Sequence, residues 1–314
     1  MTAPEMKNTG GLVWVRRYLL TGLPASSALP IVDMSIRSSS VVACRLPSTD
    51  RTETWRCGGG CEKLGEDWVE DVIRMVEQAS YTWKGAGGPF TLTVADGVFA
   101  PSSTTRVLGD AMRINAGETV LDAGCGSGVL SFVAAKLGAG RVIGCDVSQA
   151  AVDCATKNAE ELGLADTTEF RQGSLFEPVH DVRADVVIAD ISGVPDAIAQ
   201  ASGWFPGGRG GGPTGAELPV AMLDDIGRHV APTGRVYLPT ASLQDESAVL
   251  RAAKRVFGDR IQNASVRDFP LPDAVVRARE VARLASEGVI RLTRKGSRMF
   301  WRLTIWQCGK PSPP

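Results

Sequence analysis

The amino-acid sequence predicts an α/β fold of the Rossmann-like, doubly wound kind, and three observations carry that prediction. The stretch Thr119 to Ser131, Thr-Val-Leu-Asp-Ala-Gly-Cys-Gly-Ser-Gly-Val-Leu-Ser, passes from an apolar strand through a glycine turn into a helix. Arg141 to Asp146 reads as a second strand closed by an acid. Beyond it, strand-like and helix-like segments alternate, as they do in a parallel sheet with helices on its faces.

In the turn, Gly124, Gly126 and Gly128 stand at alternate positions behind Asp122, with Cys125 between the first two. Glycine is needed where a turn is sharp and a ligand approaches bare backbone. Asp146 follows Gly128 by eighteen positions, about where an acid meets ribose hydroxyls. Its two ionised oxygens accept from both hydroxyls of an unphosphorylated ribose and repel a 2′-phosphate. A dinucleotide fingerprint needs its third glycine five residues after the first, and that position is Val129.

Gly-x-Gly-x-Gly behind an acid closely resembles motif I of the class I S-adenosylmethionine (SAM)-dependent methyltransferases, and the resemblance spans roughly residues 86 to 305. It implies SAM as the cofactor. Asp122, Gly124, Cys125, Gly126 and Gly128 would surround it, Asp146 would hold its ribose, and Val147 beside Asp146 would add a contact. Ser174 and Leu175, after the strand Thr167–Gln172, match the positions that meet the adenine. The resemblance also implies a seven-stranded, mostly parallel sheet with a reversed late strand.

The 314 residues, 44% hydrophobic and 22% charged, suffice for one large domain plus an appendage. Thirty-four Lys and Arg against 35 Asp and Glu exert no global pull toward nucleic acid, although a local basic patch stays open. No apolar run approaches a membrane span, and Thr21, Gly22 and Pro24 interrupt the apolar residues after Arg16-Arg17. A cytoplasmic protein is therefore expected. Seven scattered cysteines fit a reduced compartment. Cys57-Gly-Gly-Gly-Cys61 lacks the spacing and partners of a zinc hook, so no metal is expected. His180 and His229 are remote from any strand end read as reactive, which leaves no Ser-His-Asp or Cys-His arrangement.

Taken in order, residues 1–64 form a poorly defined segment with short strands at Leu12–Val15, Ile31–Met34 and Val41–Cys44. Residues 65–112 are expected to form a helical cap and cofactor-covering segment. Its helix starts among Glu66, Asp67, Glu70 and Asp71, presents Trp68, Val69, Val72 and Ile73 on one face, and ends at Tyr81–Lys84. Tyr81 and Trp83 either pack or line the cofactor cleft. Phe90–Val94 is a strand, Asp96-Gly97 a turn, and a helix runs from Pro101 through Met112. This passage resembles the one upstream of motif I in HemK-like and ribosomal-protein-type N-methyltransferases. That implies Phe99, Pro101 and Thr105 over the cofactor, although Ser102 and Ser103 stand where charged residues are expected.

Residues 113–314 are the expected SAM-binding domain. Helix Gln149–Leu162 is followed by strand Thr167–Gln172 and by a fourth strand, Ala184–Asp190, which ends Asp190-Ile191-Ser192-Gly193. HemK-like and adenine-modifying enzymes carry Asn-Pro-Pro-aromatic there, and this chain does not, which disfavours glutamine amides and flipped bases. Asp190 offers a carboxylate to orient an amine or accept its proton, and Ser192 a hydroxyl. The glycine-rich run Gly203–Pro213 is either a lid that works through Trp204, Phe205 and Arg209, or a surface insert. A capping box at Thr214–Glu217 opens a helix to about His229. Strand Gly234–Pro239, helix Asp245–Phe257, strand Asn263–Phe269, helix Ala274–Glu287 and a terminal pair, Val289–Leu292 with Met299–Trp306, complete the chain.

The expected reaction is methyl transfer from SAM to nitrogen on an amino acid, a small metabolite or a protein. The alternative makes SAM the substrate, as in azetidine-2-carboxylate synthases on this fold, which cyclise it and release methylthioadenosine. A silent SAM-binding partner protein is a third reading. Nucleic acid and membrane are not expected partners, and the oligomeric state stays open.

Overall fold

The computed structural model describes residues 80–205 and 210–309 in full and the backbone of 13–15, 32–37, 40–45 and 79. The chain divides into two compact units, residues 1–77 and 78–314. In the first, strands β1 (Val13–Val15), β2 (Val32–Arg37) and β3 (Ser40–Arg45) form an antiparallel meander, close to the three strands expected. The Cys57–Cys61 spacing and the helix expected from Gly65 lie outside the described residues.

The second unit opens with a correction. Tyr81 and Trp83 do not end a helix, because Ala79–Trp83 is a strand, β4, paired antiparallel with β5 (Phe90–Val94). Two positions apart on the strand, the two side chains share one face. Trp83 is fully buried, stacks with Phe90 at 6.3 Å and donates from Nε1 to the Ala86 carbonyl at 2.9 Å, so it packs rather than lines a cleft. Helix α1 (Ser103–Ala111) follows. Ser102 caps it, and Thr105 Oγ1 accepts from the Ser102 N–H in return.

Strand β6 (Thr119–Ala123), helix α2 (Val129–Lys136), strand β7 (Arg141–Asp146), helix α3 (Gln149–Glu161), strand β8 (Thr168–Gln172) and strand β9 (Ala184–Ala189) are the expected alternation. Strand β10 (Val230–Ala241), β11 (Ile261–Pro270), β12 (Thr293–Lys295) and β13 (Arg298–Gly309) complete the sheet. Seven strands run in the order β11-β13-β10-β9-β6-β7-β8, with β12 paired to β13. Strand β13 is antiparallel to both of its long neighbours, and the pairs through β10, β9, β6, β7 and β8 are parallel. This is the sheet that the resemblance implied, reversed strand included.

The end of the chain differs in detail. The expected helix Ala274–Glu287 is two pieces, α7 (Asp273–Val276) and α8 (Arg279–Ser286), and the strand before the Gly296 turn is β12 rather than Val289–Leu292. Ile290 is buried in the core instead of pairing in the sheet. Helix α4 (Asp196–Ser202) follows β9. Helix α5 (Glu217–Ile226) begins three residues after Thr214, whose N–H and hydroxyl donate to Glu217. Helix α6 (Glu246–Phe257) follows β10 and is capped by Asp245.

Apolar side chains fill both faces of the sheet, as strands buried on two sides require. One polar residue ties this core to the glycine turn. Asn158 of α3, fully buried, accepts from Thr93 N at 2.8 Å and donates to Thr93 O at 2.8 Å and Ser127 O at 3.1 Å. It thus joins β5, α3 and the turn. Replacing it strands buried backbone groups, at about 1–3 kcal/mol for each unsatisfied group. Asn158→Ala is expected to lower unfolding free energy by about 3 kcal/mol in a urea titration, whereas Glu160→Ala, exposed on the same helix, should change it far less.

Candidate functional site

Parallel pairing brings the carboxyl ends of four strands to one edge. Ala123 of β6 stands opposite Cys145 of β7 and Ala189 of β9, and Asp146 of β7 stands opposite Gln172 of β8. Asp190, Gly124, Asp146 and Ser174 therefore follow one another along the carboxyl edge. This is where ligands bind in open α/β sheets.

Backbone hydrogen bonds shape the turn. Gly124 N and Cys125 N both donate to Cys145 O, at 2.8 and 3.0 Å, and Gly128 N donates to Cys125 O at 2.8 Å. Gly126 and Gly128 both have positive φ, 53° and 85°, but for different purposes. A Cβ at Gly128 would lie 2.6 Å from Phe132, so that glycine lets the helix pack. A Cβ at Gly126 would meet nothing closer than Phe99 O at 3.8 Å, so that glycine leaves open space over the turn.

Asp146 is held on both oxygens, by Gly126 N at 3.0 Å and Ser148 N at 2.9 Å. Lone pairs remain on each oxygen for further donors. Val147, beside it, is 70% exposed and offers an apolar surface at the rim. Ser174 gives its N–H to Glu177 at 3.4 Å and keeps an exposed side chain. Among the described residues Leu175 is the non-glycine residue of positive φ, 50°, a conformation that costs about 1–2 kcal/mol. Its carbonyl accepts from the Cys145 thiol at 3.1 Å.

Asp122 is fully buried. Ser131 Oγ donates to its Oδ2 at 2.6 Å, and its Oδ1 has no partner. Burial, opposed by the Ser131 hydrogen bond and reinforced by the charges of Asp190 and Asp146, pushes its carboxyl up to about 7. Burial alone pushes Asp190 up to about 6. Among the described residues no lysine or arginine forms an ion pair with Asp122, Asp146 or Asp190. Three carboxylates without a cation suit a ligand that brings positive charge of its own.

Past Asp190, Ser192 Oγ is buried without a partner, and so is Gln244 Nε2 from the loop after β10. Gln244 presses on the same segment, since a Cβ at Gly193 would lie 2.7 Å from its Oε1. The sequence offered one signal for Gln244, its place just beyond a strand's carboxyl end, and no motif surrounds it. Phe99 stacks on Phe205 at 5.3 Å, which brings the glycine-rich run to the residue expected over the cofactor. The run is not free throughout. Gly211 N donates to Val194 O at 2.7 Å, Asp196 N to Gly212 O at 3.0 Å, and Gly210 N to Asp196 Oδ1 at 2.8 Å. Arg209 lies outside the described residues. Thr105 is buried with its hydroxyl in the helix cap, and His229 stacks on Phe176 at 4.5 Å.

The sheet order, the reversed strand and the glycine corner flanked by Asp122 and Asp146 are the arrangement that the resemblance to class I methyltransferases implied. Residues 105–196, the part that holds this corner, match the family model described as Ribosomal protein L11 methyltransferase (PrmA). A curated protein of that name from Syntrophomonas wolfei is 39% identical over 102 residues, 30% of this chain and 33% of its own length. One from Aeromonas hydrophila is 48% identical over 83 residues, 26% of this chain and 27% of its own length. The matches thus span about a third or less of each of these relatives. Among solved structures, a ribosomal protein L11 methylase from Lactobacillus delbrueckii is 20% identical with a TM-score of 0.43, over 69% of this chain and 84% of that one. No described helix is long and apolar enough to cross a membrane.

Two expectations test this geometry. Gly128→Ala combines a left-handed backbone with a clash on Phe132 and should destabilise the fold by about 3 kcal/mol, against about 1 kcal/mol for Gly126→Ala, by denaturant unfolding. The raised carboxyls of Asp122 and Asp190 bind protons more tightly folded than unfolded, so their contribution is full below about pH 4 and is lost as pH rises through about 7. Thermal midpoints of the ligand-free protein should show that loss, and Asp122→Asn should flatten it.

Proposed function

We propose that this chain binds SAM at the Asp122–Gly128 turn and methylates a nitrogen of a protein acceptor. The observation that carries the reading is the meeting, on one strand edge, of a bare-backbone turn, three unpaired carboxylates and the buried, partnerless Ser192 hydroxyl. The residues suit SAM, whose ammonium and sulfonium supply the missing positive charge. Asp122 and the turn would hold the methionine portion, Asp146 the ribose hydroxyls, and Val147, Ser174 and Leu175 the adenine. When bound, SAM supplies a methyl group that is electrophilic without further activation.

The chain's own residues then govern the nucleophile. An attacking amine must be unprotonated and aligned. The Asp190 carboxylate, raised to about 6, is ionised at neutral pH yet takes a proton more readily than an ordinary carboxylate. It accepts the amine's proton and holds it, while Ser192 Oγ orients the amine. Phe99 and Phe205 exclude water above the turn. A protein acceptor is favoured by the names of the relatives matched over residues 105–196, which act on ribosomal protein L11.

The decisive assay is incubation with SAM, with and without ribosomal protein L11, followed by mass spectrometry of nucleoside and protein. S-adenosylhomocysteine and a methylated protein are expected only when both substrates are present. Methylthioadenosine formed from SAM alone, in excess over enzyme, would make SAM the substrate and overturn the reading. With the acceptor, kcat/KM should rise with pH through about 6 as Asp190 ionises. Asp190→Asn should abolish that limb and cost about 10²–10⁴-fold in kcat.

A further inference from the structure

Away from the glycine turn, an open groove of about 520 Å³ lies between helix α1 and strand β11, the last strand of the sheet. Arg106, Asp110 and Arg113 form its helical wall, Arg267 stands on its floor, and Tyr81 and Phe269 bound it. Asp110 is already engaged, accepting from Arg106 Nε at 2.7 Å and Ala86 N at 2.8 Å. Among the described residues the Arg113 side chain donates only to backbone carbonyls, Met112 O at 2.8 Å and Asp110 O at 3.1 Å. The Arg267 side chain makes no ion pair or hydrogen bond among the described residues. In a chain of net charge −1, this groove gathers three guanidiniums against one spent carboxylate.

The groove is also joined to the candidate site. Phe269 stacks on Trp301 at 5.1 Å, and Trp301 lies 6.3 Å from Trp204, whose neighbour Phe205 stacks on Phe99 above the turn. A row of rings thus links the groove to the rim where Asp190 would meet its substrate.

We propose that the groove docks an acidic segment of the acceptor protein; this rests on the protein-acceptor reading above. Arginine forks match carboxylates with two parallel hydrogen bonds, and Arg267 and Arg113 have donors to give. A nucleic acid is a poorer match, because it calls for a basic surface that follows many phosphates, and here the charge is confined to one groove. Addition of a peptide strand to β11 is a poorer match too. The register of β11 slips between Asn263 and Ser265, and such a bulge on the last strand of a sheet opposes edge pairing. Recognition therefore runs through side chains.

The test titrates the full chain into a fluorescent hexaglutamate peptide at low salt and follows polarisation. Saturable binding is expected, weakened about fivefold or more by Arg267→Glu and largely kept by Arg267→Lys. With the acceptor, Arg267→Glu should raise KM and leave kcat unchanged. Equal binding by wild type and Arg267→Glu would overturn the proposal. So would equal binding of hexalysine, or tighter, Arg267-dependent binding of a single-stranded oligouridylate. SAM affinity, measured by calorimetry on the same samples, separates the two ideas. Loss of SAM binding with hexaglutamate binding intact strikes the functional reading alone, and the reverse strikes the groove alone.

Discussion

The turn between β6 and α2 has to reverse direction in a space that side chains would fill. Its backbone is pinned from below, where Gly124 and Cys125 share the Cys145 carbonyl, and from behind, where Gly128 fits against Phe132. What is left uncovered is the upper side at Gly126. Most of the site follows from that constraint. Asp146 is aimed by the Gly126 N–H, Asp122 is buried under the same turn by Ser131 from the first turn of α2, and Asn158 ties the turn to the hairpin in front of it. The turn is less a loop with residues on it than the element against which each neighbouring side chain is set.

Electrostatics gives the site its direction. Burying carboxylates beside one another is unfavourable, and here the cost shows as the raised proton affinities of Asp122 and Asp190. Elsewhere in the unit the chain avoids that cost, as where Arg235 neutralises Glu118 at 2.7 Å. A cationic ligand relieves the strain without any lysine or arginine at the rim. A site of this sign suits SAM and is a poor host for phosphates, in agreement with a glycine pattern that departs from the dinucleotide fingerprint.

The shared and unshared parts of the chain meet at the reactive strand. Residues 105–196 carry the cofactor corner and end just after Asp190 and Ser192. The cover built from Trp204 and Phe205, the Gln244 loop and the aromatic row through Trp301 all lie beyond that stretch. The matched stretch thus holds the glycine corner, Asp190 and Ser192 together with the helical wall of the groove, while the aromatic cover comes from outside it.

By itself the sequence determined the doubly wound fold, the cofactor corner and the acids that flank it, because these are local. A strand, a glycine turn and a helix declare themselves through periodicity and through backbone angles open to glycine. Where the signal was mixed it misled. Tyr81-Thr82-Trp83 read as a helix end and is a strand, because its pairing partner Phe90–Val94 lies across a turn that supplies the hydrogen bonds. Thr105, expected over the cofactor, spends its hydroxyl on the cap of its own helix. Only the tertiary structure decided that Gln244 presses on Ser192-Gly193, that Phe205 reaches Phe99, and that Arg106, Arg113 and Arg267 face one groove. Each of these depends on residues far apart in the chain meeting where strands from separate crossovers end side by side, and no spacing in the sequence encodes that distance.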